Sequence, residues 1–278
     1  KDYLNTPVPK FGSSVTVSDK VIDKLAKMGV MKIALSLNEV KQSSAAKKTD
    51  GKKSKTIRGI PKLIDANYAG GPKSAECTLI LCEGDSAKSG IVSGLSRDDR
   101  NVIGVYPLKG KPMNVRDVSM KRILENTENS ELKQIMGLVT GKTYKEEDIA
   151  TQLRYGKILF MTDQDLDGVH IKGLCINLIH TQWKELIQIP QFIGFMNTPI
   201  MKATRGSQEH VFYNQGEYET WKAAQPHNDV SKWKIKYYKG LGTSTGKEFK
   251  EYFQNKNIVT FKYSEDTSTA ALDLVFDK

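Results

Sequence analysis

Residues 157–174 read KILFMTDQDLDGVHIKGL, an apolar run that breaks off into alternating aspartates and a glycine. The run after Lys157 fits a strand buried on both faces, as in a parallel sheet. Asp163, Asp165 and Asp167 follow at two-residue spacing, and residues two apart in extended chain point the same way. Gly168 then allows the turn into a helix. Residues 77–90, CTLILCEGDSAKSG, repeat the plan: Glu83 comes immediately after a second buried strand, and Gly84 permits a sharp entry into the next helix. Carboxylates at the ends of buried strands are where a doubly wound α/β sheet gathers its functional residues.

The neighbouring sequence agrees. Strands are expected over 101–108 and 157–162, and helical stretches over 120–139 and 168–189. Beyond residue 200, strand-like HVFYN and WKIKYYK alternate with helical GEYETWKAA and TGKEFKEYF, forming a smaller α/β unit. Upstream, Val21, Ile22, Leu25, Met28 and Met31 recur at helical spacing after a cap at Ser18, which predicts a helix followed by a strand. Residues 41–62 carry Lys47, Lys48, Lys52, Lys53, Lys55 and Arg58 against the single acid Asp50 and read as a mobile basic loop, either a solvated linker or a DNA contact. The expected division is a helix/strand and basic linker segment (1–72), a metal-binding α/β domain (73–204) and a C-terminal α/β extension (205–278). No internal repeat is evident.

Three clustered carboxylates repel one another unless a cation sits among them. Oxygen ligands without His or Cys point to Mg²⁺, with Mn²⁺ a substitute. A DxDxDG run also opens an EF-hand calcium loop, but that loop needs a preceding helix and a Glu at its twelfth position, where this chain has Leu174. For each acidic motif alone, a capped, solvated turn is the plainer reading. Two acid-bearing strand ends favour a metal site with Glu83, Asp163, Asp165 and Asp167 as ligands.

The 278 residues are 38% apolar and carry a formal net charge of +10. That suits one large α/β domain with appendages or two modest domains, and it favours a polyanionic partner. No apolar run is long enough to span a bilayer, and the opening KDYLNTPVPK lacks the apolar core of a signal peptide. The expectation is a soluble intracellular protein with no membrane partner. Cys77, Cys82 and Cys175 lie in apolar runs without CxxC spacing, which predicts reduced structural thiols and no zinc site.

EGDSA at 83–87, PLKGKPMNVRD at 107–117, DQDLDGVHIKGL at 163–174 and YYKGLGTST at 237–245 together resemble the TOPRIM region of type IIA DNA topoisomerases. IRGIPKLIDANYAGG at 57–71 and LRYGKILFMTDQD at 153–165 resemble the eukaryotic topoisomerase II branch more than bacterial gyrase. The stretch SGLSRDDRNVIGVYPLKGK departs from the usual animal pattern, so a protist or a large DNA virus is an admissible source. The resemblance covers residues 57–263.

It implies a Rossmann-like parallel sheet flanked by helices, and residue roles that follow position by position. Glu83 matches the acid that helps hold the catalytic metal and exchanges a proton with the leaving 3′ oxygen on rejoining. Asp163 matches the residue shared by two metal positions, Asp165 completes the second, and Asp167 supports the cluster. Mg²⁺ is the implied ion, with Mn²⁺ able to substitute and Ca²⁺ able to bind. Lys111 and Asn114 match positions beside DNA, with Lys109 and Arg116 as phosphate contacts; Pro112 and Met113 depart from the commoner residues between them. His170 matches a phosphate contact, against a capping or packing role, and Lys239 matches a DNA-facing lysine, against a sheet-edge one.

The family's nucleophilic tyrosine lies on a downstream winged-helix domain, and no tyrosine here has that context; Tyr155 matches a structural position. The upstream ATPase signatures are absent too, so ATP belongs to the full-length enzyme and not to this chain. The implied partners are double-stranded DNA, the remaining domains of the same enzyme and, in the full-length enzyme, a second copy. The implied location is the nucleus in a eukaryote, or a cytoplasmic viral DNA factory or the host nucleus for a virus. Two other classes stay open on the residues: a TOPRIM primase or nuclease, against which KGLGTST and PLKGKPMN speak, and a non-catalytic DNA-binding module in which the acids only cap turns. Metal binding that is lost on mutation of Glu83 or Asp163, with DNA affinity kept, separates catalysis from simple binding.

Overall fold

The computed structural model describes residues 18–277; the reading of the opening ten residues as lacking a leader lies outside them. The described residues divide into two units, 18–45 and 46–277. In the first, α1 (Asp19–Lys27) is followed by Gly29 at a left-handed φ of +72° and then by α2 (Val30–Thr49), whose last four residues belong to the second unit. Ser18 occupies the N-cap position of α1 without a side-chain cap bond.

A helix therefore stands where a strand was expected, and it takes in the start of the expected basic loop. The physical reason is composition: residues 30–49 contain neither Gly nor Pro and are mostly helix formers and serines, so nothing interrupts the backbone ladder. The rest of that basic stretch is pinned, not mobile. Asp50 accepts from Lys133 Nζ at 2.9 Å and from the Thr140 amide at 3.0 Å. Arg154, fully buried, donates to Ser54 O at 2.7 Å, to Ile135 O at 2.9 Å and to the Asp65 carboxylate. A buried guanidinium persists only with its donors paired, so these bonds tie residues 50–65 to the helices around them.

In the second unit β1 (Thr78–Glu83) leads into α3 (Gly84–Gly94), and α4 (Asp99–Val102) leads into β2 (Ile103–Leu108). Three helices follow, α5 (Met120–Glu125), α6 (Thr127–Met136) and α7 (Glu146–Gln152), before β3 (Lys157–Met161). The chain continues through α8 (Leu166–Gln182), α9 (Lys184–Gln188) and β4 (Ile193–Met196). Next come β5 (Met201–Arg205), β6 (Gln208–Phe212), α10 (Gln215–Ala223) and β7 (Lys234–Tyr237). Last are α11 (Gly246–Gln254), β8 (Ile258–Thr260) and α12 (Glu265–Phe276).

Five strands form the main sheet in the order β2-β1-β3-β4-β8, parallel except for the antiparallel edge strand β8. This is the expected α/β architecture. Side-chain alternation assigns the two faces. Leu79, Leu81, Tyr106, Leu108, Ile158 and Phe160 share one core with residues of α6 to α9, whereas Ile80, Cys82, Val105, Leu159 and Met161 share another with α3 and α11. A second sheet, β6-β5-β7, packs its own small core of Met201, Ala203, Phe212, Tyr218 and Trp233. The smaller unit expected beyond residue 200 is thus present, but the chain leaves it again, since α11 and β8 return to the main sheet. Among the described residues no helix is long and apolar enough to cross a membrane.

Candidate metal and DNA site

Register brings the two acidic motifs together. β1 and β3 are parallel neighbours with Cys82 opposite Met161, so Glu83 and Asp163 leave adjacent strands within two residues of that pair. β2 lies beyond β1 and β4 beyond β3. The β1/β3 boundary is therefore where successive crossovers turn in opposite directions, the place where open α/β sheets bind ligands. Gly84 holds φ at +80° directly after Glu83, a conformation that side chains with a Cβ resist. It lets the chain turn into α3 and leaves the Glu83 carboxylate at the sheet edge.

Glu83 is half-buried, and its Oε2 is buried without a hydrogen-bond partner. Burial, followed by the charges of Asp163, Asp165 and Asp167, raises its pKa above the ordinary carboxylate value, with Lys111 opposing. Each aspartate has found a donor. Asp163 Oδ1 accepts from the Leu241 N–H at 2.6 Å, and Asp165 Oδ1 accepts from the Gly168 N–H at 2.8 Å, capping α8. Asp167 Oδ1 lies 2.8 Å from Lys111 Nζ. The hydrogen bond and charge of Lys111 hold the Asp167 pKa below its usual value.

Among the described residues, no three His, Cys, Asp or Glu side chains are arranged to hold an ion. The four carboxylates share one sheet edge, but the three aspartates turn toward separate donors, which reduces their repulsion. The donor set nevertheless fits a hard divalent cation: it is all carboxylate oxygen, and the buried Oε2 of Glu83 lacks a partner.

The residues expected to meet DNA fall into two groups. Lys109, Lys111, His170 and Lys239 are exposed. Asn114 and Arg116 turn inward: Asn114 Nδ2 donates to Phe276 O at 2.8 Å, and Arg116 Nε donates to Asn177 Oδ1 at 2.8 Å. Arg116 also pairs with Asp273 at 2.8 Å and Asp277 at 3.3 Å. Tyr155 is fully buried with its hydroxyl on Asp65, and burial together with that charge raises its pKa well above the ordinary phenol value. A phenol so placed is no nucleophile at neutral pH.

The three cysteines are buried and unpaired. Burial pushes the Cys77 thiol up to about 11 and the Cys82 thiol up to about 12. Two site features escaped the sequence reading. Lys172 is half-buried two helical turns from Asp165, and burial lowers its pKa against the pull of that carboxylate. The backbone of Gly240 and Leu241 touches Asp163, although 77 residues separate Gly240 from it. The KGLG motif marks the place, but nothing local in it says which side chain the amide meets.

A Toprim domain model matches residues 78–191, and the C-terminal associated domain of TOPRIM matches residues 196–278. DNA topoisomerase 2 of Drosophila melanogaster is 48% identical over 283 residues, covering all of this chain and 19% of that protein. DNA topoisomerase 2-alpha of Sus scrofa and of Homo sapiens are each 47% identical over 281 residues, covering all of this chain and 18% of those proteins. The chain thus spans about a fifth of the length of the curated relatives it matches. The crystal structure of the Plasmodium falciparum topoisomerase II DNA-binding, cleavage and re-ligation domain superposes with a TM-score of 0.75 at 48% identity, over 81% of this chain and 30% of that one. With both domain models in order on the sheet and appendage described above, this chain belongs to the type IIA topoisomerase family, as its TOPRIM region.

Proposed function

We propose that this chain supplies the metal-holding and DNA-contacting part of an ATP-dependent type II topoisomerase that transiently cleaves and rejoins double-stranded DNA. The observation that carries the reading is Glu83, half-buried with a raised pKa, beside Asp163 at the ends of adjacent central strands. Glu83, Asp163 and Asp165 would hold Mg²⁺, or Mn²⁺ in its place, with Asp167 in support; when bound, the ion stabilises negative charge developing on oxygen at the scissile phosphate. Glu83, at the sheet edge beside Asp163, is also the group that would exchange a proton with the 3′ oxygen on rejoining. Lys111, Lys109, His170 and Lys239 present positive charge or N–H donors toward the phosphate backbone.

The nucleophilic tyrosine and the ATPase belong to other parts of the enzyme, which works as a homodimer in the nucleus or, for a viral source, in a viral DNA factory or the host nucleus. The test is plasmid cleavage. The chain alone with Mg²⁺ should leave plasmid intact, because the in-line nucleophile is missing, and proximity of that kind is worth roughly 7–11 kcal/mol. Joined to the downstream tyrosine domain, it should give protein-linked 5′ ends on denaturant trapping, abolished by Glu83→Ala or Asp163→Ala. Free 5′-phosphate nicks from the chain alone, dependent on Glu83, would replace this reading with a nuclease.

A further inference from the structure

The loop over residues 238–245 approaches Asp163 so closely that a side chain has no room there. A Cβ built on Gly240 would overlap the Asp163 carboxylate oxygens and lie 2.6 Å from its Cγ. The next residue, Leu241, donates its N–H to Asp163 Oδ1 and buries its side chain in the core shared by Cys82, Ala87 and Met161. Carboxylate and loop therefore hold each other in one orientation. Neither contact reaches any other acid of the cluster.

One side chain closes this loop at both ends. Glu248, on α11, accepts from the Tyr238 hydroxyl at 2.5 Å through Oε1. Through Oε2 it accepts from the Thr245 N–H at 2.7 Å and the Thr245 hydroxyl at 3.0 Å. Lys236 Nζ bridges both oxygens at 2.7 and 2.8 Å. Glu248 is itself buried. It plays no part in binding through its own oxygens, since all of their contacts lie within the clasp. α11 in turn shares the core of α3, the helix that begins at Gly84 immediately after Glu83. The clasp is thus anchored to the element that aims the other carboxylate.

We propose that Glu248 is a positioning residue for Asp163, acting by clasping loop 238–245 so that the Leu241 N–H and the bare backbone of Gly240 fix the Asp163 carboxylate for a divalent cation. The C-terminal associated domain is then part of the metal site without lending it a ligand. The proposal rests on Asp163 being a metal ligand, and the experiment separates the two ideas.

Mn²⁺ affinity is measured by calorimetry on the 278-residue chain as wild type, Asp163→Ala, Glu248→Gln, Tyr238→Phe and Gly240→Ala, alongside amide hydrogen exchange at Leu241 without metal. Outer-shell partners of metal ligands typically govern about 10-fold or more in affinity, so Glu248→Gln should weaken Mn²⁺ binding about 10-fold and Tyr238→Phe by less. Gly240→Ala should weaken it with the clasp intact, and Leu241 exchange should speed up in Glu248→Gln. Tyr238→Phe removes one hydroxyl and keeps the ring, so it serves if Glu248→Gln does not fold. Lost binding in Asp163→Ala beside wild-type binding in both clasp variants would overturn the proposal alone. Wild-type binding in Asp163→Ala would remove the metal assignment and the proposal with it.

Discussion

Lys111 Nζ stands 2.8 Å from Asp167 Oδ1, which pairs a lysine expected at the DNA backbone with a carboxylate expected at the metal. The two shifts are opposite in sign, as an ion pair requires: the hydrogen bond with Asp167 raises the Lys111 pKa, and the same bond lowers that of Asp167. Both side chains are exposed, so solvent screens the pair and its worth to stability is small. Its interest is in exchange, because DNA phosphate and Asp167 compete for one ammonium. Asp167→Asn should therefore tighten DNA binding at low salt. Lys111→Ala should flatten the dependence of log K on log salt by about one unit, as expected for a single phosphate contact. Anisotropy titrations over a salt series measure both, and an unchanged slope in Lys111→Ala would place the ammonium away from the backbone.

Arg116 leads to a contrasting expectation. Its guanidinium is bound by Asp273, Asp277 and Asn177, so little of its charge is left for phosphate. Arg116→Ala should leave the salt slope of DNA binding unchanged while costing about 1–3 kcal/mol in stability, the range for stranding part-buried partners. Urea unfolding beside the same titration decides it, and a flattened slope at unchanged stability would reverse the assignment.

Asp65 is the acid that answers the buried charge of Arg154, and it also takes the Tyr155 hydroxyl. Removing one member of a buried pair leaves the other uncompensated. Asp65→Ala should therefore destabilise the second unit by about 3 kcal/mol, near the lower bound for such breaks because Arg154 keeps its bonds to Ser54 and Ile135. Chemical denaturation of the variant measures the loss; a change below about 1 kcal/mol would mean the carbonyls suffice.

Glu248 determines a pH dependence. Burial opposes its ionisation, but Lys236, the Thr245 N–H and the Tyr238 hydroxyl outweigh that and hold its pKa at about 2, against an ordinary 4.5. The folded value is depressed, so the contribution to stability is present in full above pH 4.5 and is lost as pH falls toward 2. Wild type should lose stability across that window more steeply than Glu248→Gln, which starts lower and stays flatter. Unfolding free energies at intervals from pH 6 to about 2 would test this, and parallel curves for the two proteins would exclude Glu248 as the linked group.

What was legible in advance was what one segment can encode by itself. The buried strands at 77–82 and 157–162 showed in their apolar runs, and the doubly wound class followed from alternation of strand and helix. Glu83 and Asp163 were legible as candidates because an acid directly after such a run has only the sheet edge to occupy. Local pattern failed where two readings of composition competed: the stretch up to Leu37 is apolar enough for a strand, yet with no Gly or Pro over residues 30–49 the helix wins, and β8 is too short and too exposed to announce itself.

Tertiary structure alone decided which groups face which. Asn114 and Arg116 lie in a basic loop that reads as DNA-facing, but α12 and the Asp277 that follows it, some 160 residues on, supply the carbonyl and carboxylates that turn them inward. Asp163 is aimed by the amide of Leu241, and the loop carrying it is clasped by Glu248. The sequence by itself determined the strands, the acids at their ends and the family pattern, because those depend on side chains close along the chain. The aim of each carboxylate and the partner of each cation were left to packing, because hydrogen bonds and ion pairs act over a few ångströms of space whatever their separation in sequence.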